Sequence, residues 1–241
     1  MHRFFVSSER ISGDEVALDR EVAGQVHRVL RLGPQDRILV LDNSGYELTV
    51  ELTQVGSAEA RGHIVDRALC GGEPRTRLTL YQALLKGRNF ELVLQKGTEL
   101  GVAAFVPMVT ARCVAQDPIG EARLARWRKI IKEAAEQSGR GRLPLLCPPL
   151  GYAEAMAQAS GLCLLPYEEE KEVTLTSILE TRGNGEVSLC VGPEGGFTPE
   201  EVDQACHHNI FTVGLGPRIL RAETAALAAV TAILYQRRDL G

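Results

Sequence analysis

Along the first 70 residues, apolar positions come in short runs set off by turn residues. Arg3–Val6, Arg37–Leu41, Glu47–Leu52 and Ala60–Val65 read as strands. Asp42-Asn43-Ser44-Gly45 lies between two of them and carries the residues of a hairpin turn. Val22, Val26, Val29 and Leu30 recur at helical spacing, so one helix is expected at about 21–31. Several short strands with one helix suggest a small β-barrel. Cys70-Gly71-Gly72-Glu73-Pro74 then punctuates the chain and is the best boundary.

Beyond it the period changes. Strand patterns at Leu78–Leu84, Ala104–Val109, Leu162–Leu165, Glu186–Val191 and Ile210–Val213 alternate with helical ones. Phe90–Leu100 has apolar Phe90, Val93, Leu94 and Leu100, and Glu121–Gln137 places Leu124, Trp127, Ile131 and Ala134 on one face. Thr198-Pro199-Glu200-Glu201 can cap a helix: Thr198 at the cap, proline in the first turn, Glu201 closing a capping box. Glu223–Arg237 is apolar nearly all round, as for a helix covered on several sides. Such alternation predicts an α/β domain with a mainly parallel sheet.

The 241 residues, 44% of them apolar, suit one large or two small domains with a real core. No apolar run approaches the ~20 residues of a membrane span, and the N-terminal run is too short for a signal peptide, so a cytoplasmic location is expected. The six cysteines form no Cys-x-x-Cys pair. Cys206-His207-His208 resembles a ligand cluster, but adjacent helix positions diverge, so no metal is expected there.

Charge alters the picture. The net charge is −4, yet residues 76–150 hold 12 Lys+Arg against 6 Asp+Glu. Residues 1–75 hold 9 against 12, and residues 151–241 hold 6 against 13. The basic middle can attract phosphate even on an acidic protein, though a merely solvated helix face fits equally well. Arg123 and Arg126, with Arg128, Lys129 and Lys132, fall on the helix at 121–137, and Arg140 and Arg142 follow beside Gly139 and Gly141. These arginines, together with Lys86 and Arg88, are the candidate nucleic-acid contacts.

Two segments carry candidate chemistry. Val191-Gly192-Pro193-Glu194-Gly195-Gly196-Phe197 joins an apolar strand to the capped helix, where an open α/β sheet places its ligand. It is neither a dinucleotide nor a Walker pattern. Leu215-Gly216-Pro217-Arg218-Ile219-Leu220-Arg221-Ala222-Glu223-Thr224-Ala225 leads into the last helix. Arg218 and Arg221 can hold phosphate or carboxylate, Glu223 complements the helix dipole, and an Arg221–Glu223 ion pair is the plainer alternative.

These two segments in this order resemble the RsmE family of SPOUT methyltransferases. So do His2-Arg3-Phe4-Phe5-Val6, His27-Arg28-Val29-Leu30-Arg31 with Gly33 and Asp36, and Lys86-Gly87 with Glu91, Lys96 and Glu99-Leu100-Gly101-Val102. Glu133-Ala134-Ala135-Glu136-Gln137-Ser138-Gly139-Arg140 is a further match. Ala222 departs from the family, whose members often carry Thr there, so a hydroxyl at that place has no general catalytic role. The resemblance implies a PUA-like RNA-binding β-barrel at 1–72 and a SPOUT methyltransferase domain at 73–241 with a deep trefoil knot. It implies S-adenosyl-L-methionine as cofactor, held by Leu165 and Pro166, by Val191, Gly192, Gly195 and Gly196, and by Leu215, Gly216, Ile219 and Leu220. It implies a homodimer through the knot helices, and 16S rRNA of the small ribosomal subunit as partner, methylated at N3 of uridine 1498.

N3 of uracil carries a proton that must leave. Glu194 is a candidate base, Arg221 a candidate stabiliser of the anion or a flanking phosphate, and Glu223 completes the catalytic set. Glu194 can equally bind the cofactor's amino group or cap the helix at 198. Two alternatives remain: a SPOUT enzyme with another target, such as a tRNA ribose hydroxyl, and a non-catalytic RNA-binding assembly factor.

Overall fold

The computed structural model describes residues 1–114, 119–182 and 185–240. The chain forms two compact units, Met1–Glu73 with Ala135–Leu143, and Pro74–Ala134 with Pro144–Gly241. Of the second, Gly241 lies outside the described residues.

The first unit is a six-stranded sheet. Its strands are β1 (Arg3–Phe5), β2 (Ile11–Ser12), β3 (Glu15–Leu18), β4 (Arg37–Leu41), β5 (Tyr46–Val55) and β6 (Ala60–Leu69), in the order β1-β4-β5-β6-β3-β2. β1 runs parallel to β4 and the other pairs are antiparallel. Buried and exposed positions alternate through much of β5, the mark of a strand with one wet face. Val16, Leu18, Ile38, Val40, Leu48, Val50 and Leu52 supply the core, together with Val22 and Val26.

The expected helix at 21–31 is α1 (Arg20–Gly24), capped by the Asp19 carboxylate, running into one π-helical turn at Gln25–Val29. That wider turn breaks the 3.6-residue stripe. Val26 stays buried while Val29 is 71% exposed, which corrects its reading as a core position.

In the second unit seven strands pair, all parallel: β7 (Leu78–Ala83), β8 (Ala104–Val109), β9 (Leu145–Leu146), β10 (Leu150–Gly151), β11 (Leu162–Pro166), β12 (Val187–Val191) and β13 (Phe211–Val213). The order is β10-β8-β7-β12-β11-β13, with β9 also on β8. The helices are α2 (Asn89–Leu100), α3 (Glu121–Ser138), α4 (Tyr152–Gln158), α5 (Leu175–Thr181), α6 (Pro199–His207) and α7 (Ala222–Gln236). Every residue of β12 is buried, as expected of a parallel strand covered on both faces. The sequence pattern missed β9, β10, α4 and α5, which are too short to show a period. The capping box at Thr198 and Glu201 is present with both of its hydrogen bonds.

Candidate functional site

The carboxyl ends of β7, β12, β11 and β13 are neighbours in the sheet, and a cavity of about 460 Å³ opens there. Three loops and the start of α7 line it, with Asn89 from the start of α2. Parallel strands aim their carboxyl ends the same way, so segments far apart in sequence meet there.

The loop after β12 is the most constrained. Gly196 has φ +69°, a region costly for residues with a Cβ, and its N–H closes a turn on the Pro193 carbonyl. Gly192 lies against the Phe197 ring, where a Cβ would stand 3.2 Å from ring carbons. The Arg112 guanidinium donates to the carbonyls of Gly195 (2.8 Å) and Phe197 (3.1 Å). The buried Gln82 amide donates to Ala83 (3.1 Å) and reaches the carbonyls of Val191 and Gly192 at 3.5 Å. Glu201 closes the base of the loop: its carboxylate accepts from Ala111 N–H (2.8 Å) and Thr198 N–H (2.9 Å). Glu194 points away from the core, and its Oε1 accepts from the Lys86 backbone N–H at 2.8 Å.

The loop after β11 is tied to β13. The Glu170 carboxylate accepts from the N–H groups of Val173 (3.0 Å) and Glu172 (2.9 Å) and from the Thr212 hydroxyl (2.9 Å). These bonds hold its pKa below the ordinary carboxylate value, the Val173 bond contributing most. Tyr167 donates its hydroxyl to Glu169 (3.0 Å). Desolvation first, then the hydrogen bond to that carboxylate, raise the Tyr167 pKa above its ordinary value.

The loop after β13 is open. Gly216 has φ +99°, and a Cβ there would meet nothing within 4 Å. Arg218, Ile219 and Arg221 are exposed. Among the described residues neither arginine forms an ion pair, which removes the Arg221–Glu223 pair. Glu223 sits in the first turn of α7, and its Oε2 is buried with no hydrogen-bond partner.

The structure brings together Glu194, Arg221 and Glu223, the expected catalytic set. Of the expected cofactor residues, Pro166, Val191, Gly192, Gly196, Leu215, Gly216, Ile219 and Leu220 line the cavity. Leu165 does not: it is fully buried within β11. Gly195 faces away, its carbonyl taken by Arg112. Sequence reasoning missed Asn89, Tyr167, Glu168, Glu170 and Lys171 on the cavity wall. The run Tyr167–Glu172 reads as a plain charged loop, and only its place after a strand pointed to the site.

The expected RNA contacts separate. Lys86 and Arg88 are exposed. Arg123 lies over the Trp127 ring at 4.9 Å, and Arg126 pairs with Glu91 at 2.7 Å. Arg128 pairs with Glu121, and Lys129 lies 3.9 Å from Glu133. Arg140 is corrected outright. It is 3% exposed and donates to the Glu73 carboxylate at 2.9 Å, so its guanidinium is enclosed and cannot reach a phosphate. Arg142 spends its guanidinium on the Ser44 carbonyl (3.0 and 3.3 Å). Among the described residues no His, Cys, Asp and Glu cluster could hold a metal.

Residues 72–234 match the model of the RNA methyltransferase domain family. The ribosomal RNA small subunit methyltransferase E of Bacillus subtilis is 33% identical over 98% of this chain and 97% of its own length. That of Synechocystis is 34% identical over 97% of this chain and 78% of its own. The crystal structure of the Neisseria gonorrhoeae ribosomal RNA small subunit methyltransferase E bound to S-adenosyl methionine superposes with a TM-score of 0.89 at 34% identity, covering 98% of this chain and 97% of that one. With sequence and fold agreeing along nearly its whole length, this chain belongs to the ribosomal RNA small subunit methyltransferase E family.

Proposed function

We propose that this protein transfers the methyl group of S-adenosylmethionine to N3 of a specific uridine in small-subunit ribosomal RNA. The observation that carries the reading is the strand-end cavity, whose three loops fit this cofactor. Its size is within the range for small-molecule sites. Val191, Leu215, Ile219 and Leu220 offer apolar surface for a base, and the bare backbone at Gly192, Gly196 and Gly216 allows close approach. The unpartnered Glu223 Oε2 is a buried acceptor that calls for a donor or a cation. When bound, the cofactor supplies an electrophilic methyl group on a sulfonium.

The chain's own residues hold the acceptor and manage its proton. Arg218 and Arg221 present unpaired forks to a phosphate or to a uridinate anion. Glu194 and Glu223 are the two carboxylates suited to take the N3 proton. Glu194 has one oxygen engaged by Lys86 N–H, whereas Glu223 keeps a free one.

The finer architecture belongs to the same reading. Residues 1–72 form a PUA-like RNA-binding barrel and residues 73–241 a SPOUT domain with a trefoil knot. The out-of-sequence order β7-β12-β11-β13 supports the knot. The chain acts as a homodimer through α7. Thr224, Ala228, Thr231 and Tyr235 recur along one exposed and largely uncharged face of that helix, and Tyr235 is 69% exposed. Among the described residues no helix is long and apolar enough to cross a membrane. A ribosomal substrate supports a cytoplasmic location.

Purified protein given methyl-labelled cofactor and small ribosomal subunits lacking the modification should label 3-methyluridine, identified by mass after digestion. Label in another nucleoside would sink the uridine assignment. No transfer with cofactor bound would sink the enzymatic reading for that substrate.

A further inference from the structure

Two stretches of cations in this protein differ in how they are engaged. Along α3 and the segment after it, each described arginine is already engaged by a carboxylate, an aromatic ring or a backbone carbonyl. The turn that ends the first helix of the N-terminal unit is different. His27, Arg28 and Arg31 are exposed there, and among the described residues none has an ion-pair partner. Val29, between them, is largely exposed as well.

The backbone at this turn is unusual. The π-helical turn Gln25–Val29 closes with Leu30 N–H on the Gln25 carbonyl (3.0 Å) and Leu32 N–H on the Val26 carbonyl (3.0 Å). Arg31 takes φ 55°, the left-handed region where a helix end ordinarily places glycine or asparagine. An arginine there bears a steric cost that glycine would not. Arg28 folds back along the helix: a Cβ on Gly24 would stand 2.7 Å from its Nη2, so the missing side chain makes room for the guanidinium. The chain thus keeps a strained and an unpaired arginine on one exposed turn beside an exposed valine.

We propose that the turn His27–Arg31 is a contact surface for the RNA backbone, with Arg28 and Arg31 on phosphates and Val29 against a sugar or base. The inference rests on the RNA-methyltransferase reading for the identity of the partner. Planar guanidinium forks suit phosphate oxygens, and an unpaired cation gives up no existing ion pair to make that bond. The balance of −3 over residues 1–75 does not oppose this, because phosphate responds to the local field. A purely structural role is the competitor, since a cation near a helix carboxyl end also offsets the dipole. The two roles part at Arg31→Gly. Relief of the left-handed strain should preserve or raise the melting temperature, while loss of a phosphate contact should weaken RNA binding.

The test uses the full chain and small-subunit ribosomal RNA as probe, with Kd measured across a salt series. Arg28→Ala with Arg31→Gly should weaken binding by about tenfold or more. It should also lower the slope of log K against log salt by roughly 1.4 to 1.8, the loss of two phosphate contacts. Cofactor binding should be unchanged. Arg28→Lys with Arg31→Lys should keep most of the slope, and Arg61→Ala, at an exposed arginine paired with Glu59, should leave it unaltered. Unchanged Kd and slope in the double variant, with wild type binding RNA, would overturn the surface alone. A fall in melting temperature for Arg31→Gly that accounts for the lost binding would return the turn to a structural role. If wild type neither binds nor methylates the RNA, the RNA-methyltransferase reading fails and this surface falls with it.

Discussion

Two segments that each carry glycine and a pair of arginines do opposite things in the fold. Gly139-Arg140-Gly141-Arg142 is closed. Its glycines exist for contact: a Cβ on Gly141 would stand 2.6 Å from the Cys70 Cβ. Gly139 presents its carbonyl 2.5 Å from where a Cβ on Gly72 would lie. Arg140 is buried against Glu73, whose other oxygen accepts from Arg142 N–H at 3.0 Å. Gly216-Pro217-Arg218-Ile219-Leu220-Arg221 is open. Its glycine faces empty space, its arginines are unpaired, and both line the cavity. An arginine in a glycine-bearing segment therefore says nothing about ligand binding until its partner is known. A carboxylate closing on it makes it a structural tie, and an empty cavity makes it available.

The comparison can be broken by removing one guanidinium from each region. Arg140→Ala leaves the half-buried Glu73 carboxylate without its partner and should destabilise the protein by about 3 kcal/mol in urea melts. Arg218→Ala should change stability by no more than ~0.5 kcal/mol, because its side chain is exposed and unpaired. Equal destabilisation by the two would mean that the contrast is wrong.

Glu223 sharpens the open side. Glu223→Gln keeps the shape of a side chain whose Oε2 has no partner in the fold, so the melting temperature should hold or rise. Methyl transfer should fall by about 100-fold if this carboxylate takes a proton or faces a cation in the reaction. A single-turnover rate equal to wild type would remove Glu223 from the chemistry and leave Glu194 as the remaining carboxylate.

The smallest effect concerns the loop after β11. The fold holds Glu170 below its ordinary pKa, chiefly through the Val173 N–H. Its bonds therefore stabilise the protein above the ordinary carboxylate pKa, and that contribution fades as pH falls through the lowered folded value. Glu170→Gln should cost roughly a few tenths of a kcal/mol near neutrality, given solvent screening at this partly exposed site. The difference from wild type should vanish in acid. A gap that widens on acidification would contradict the sign.

Periodicity was a good guide where burial is one-sided or complete over a whole element. The parallel strands β7, β8 and β12 and helices α2, α3 and α7 could be read from it, because each buries a long apolar face that must repeat at a fixed spacing. The capping box at Thr198 was legible for a similar reason: its hydrogen bonds span three residues. The two glycine-bearing loops were legible as candidate sites because they follow strands. Short elements such as β9 and β10 were not, since two residues hold no period. The π-helical turn escaped as well, because it alters the period itself and moved Val29 from the core to the surface.

By itself the sequence determined the parallel α/β class, the loops at its strand ends and the family resemblance, all of which rest on local pattern. Only the tertiary structure decided which charges are free. That Glu73 encloses Arg140, that Lys86 N–H holds Glu194 and that Glu170 reaches Thr212 are pairings between residues 67, 108 and 42 positions apart. No local pattern encodes such distances, because the energy of a charge depends on the partners and solvent that the fold brings to it.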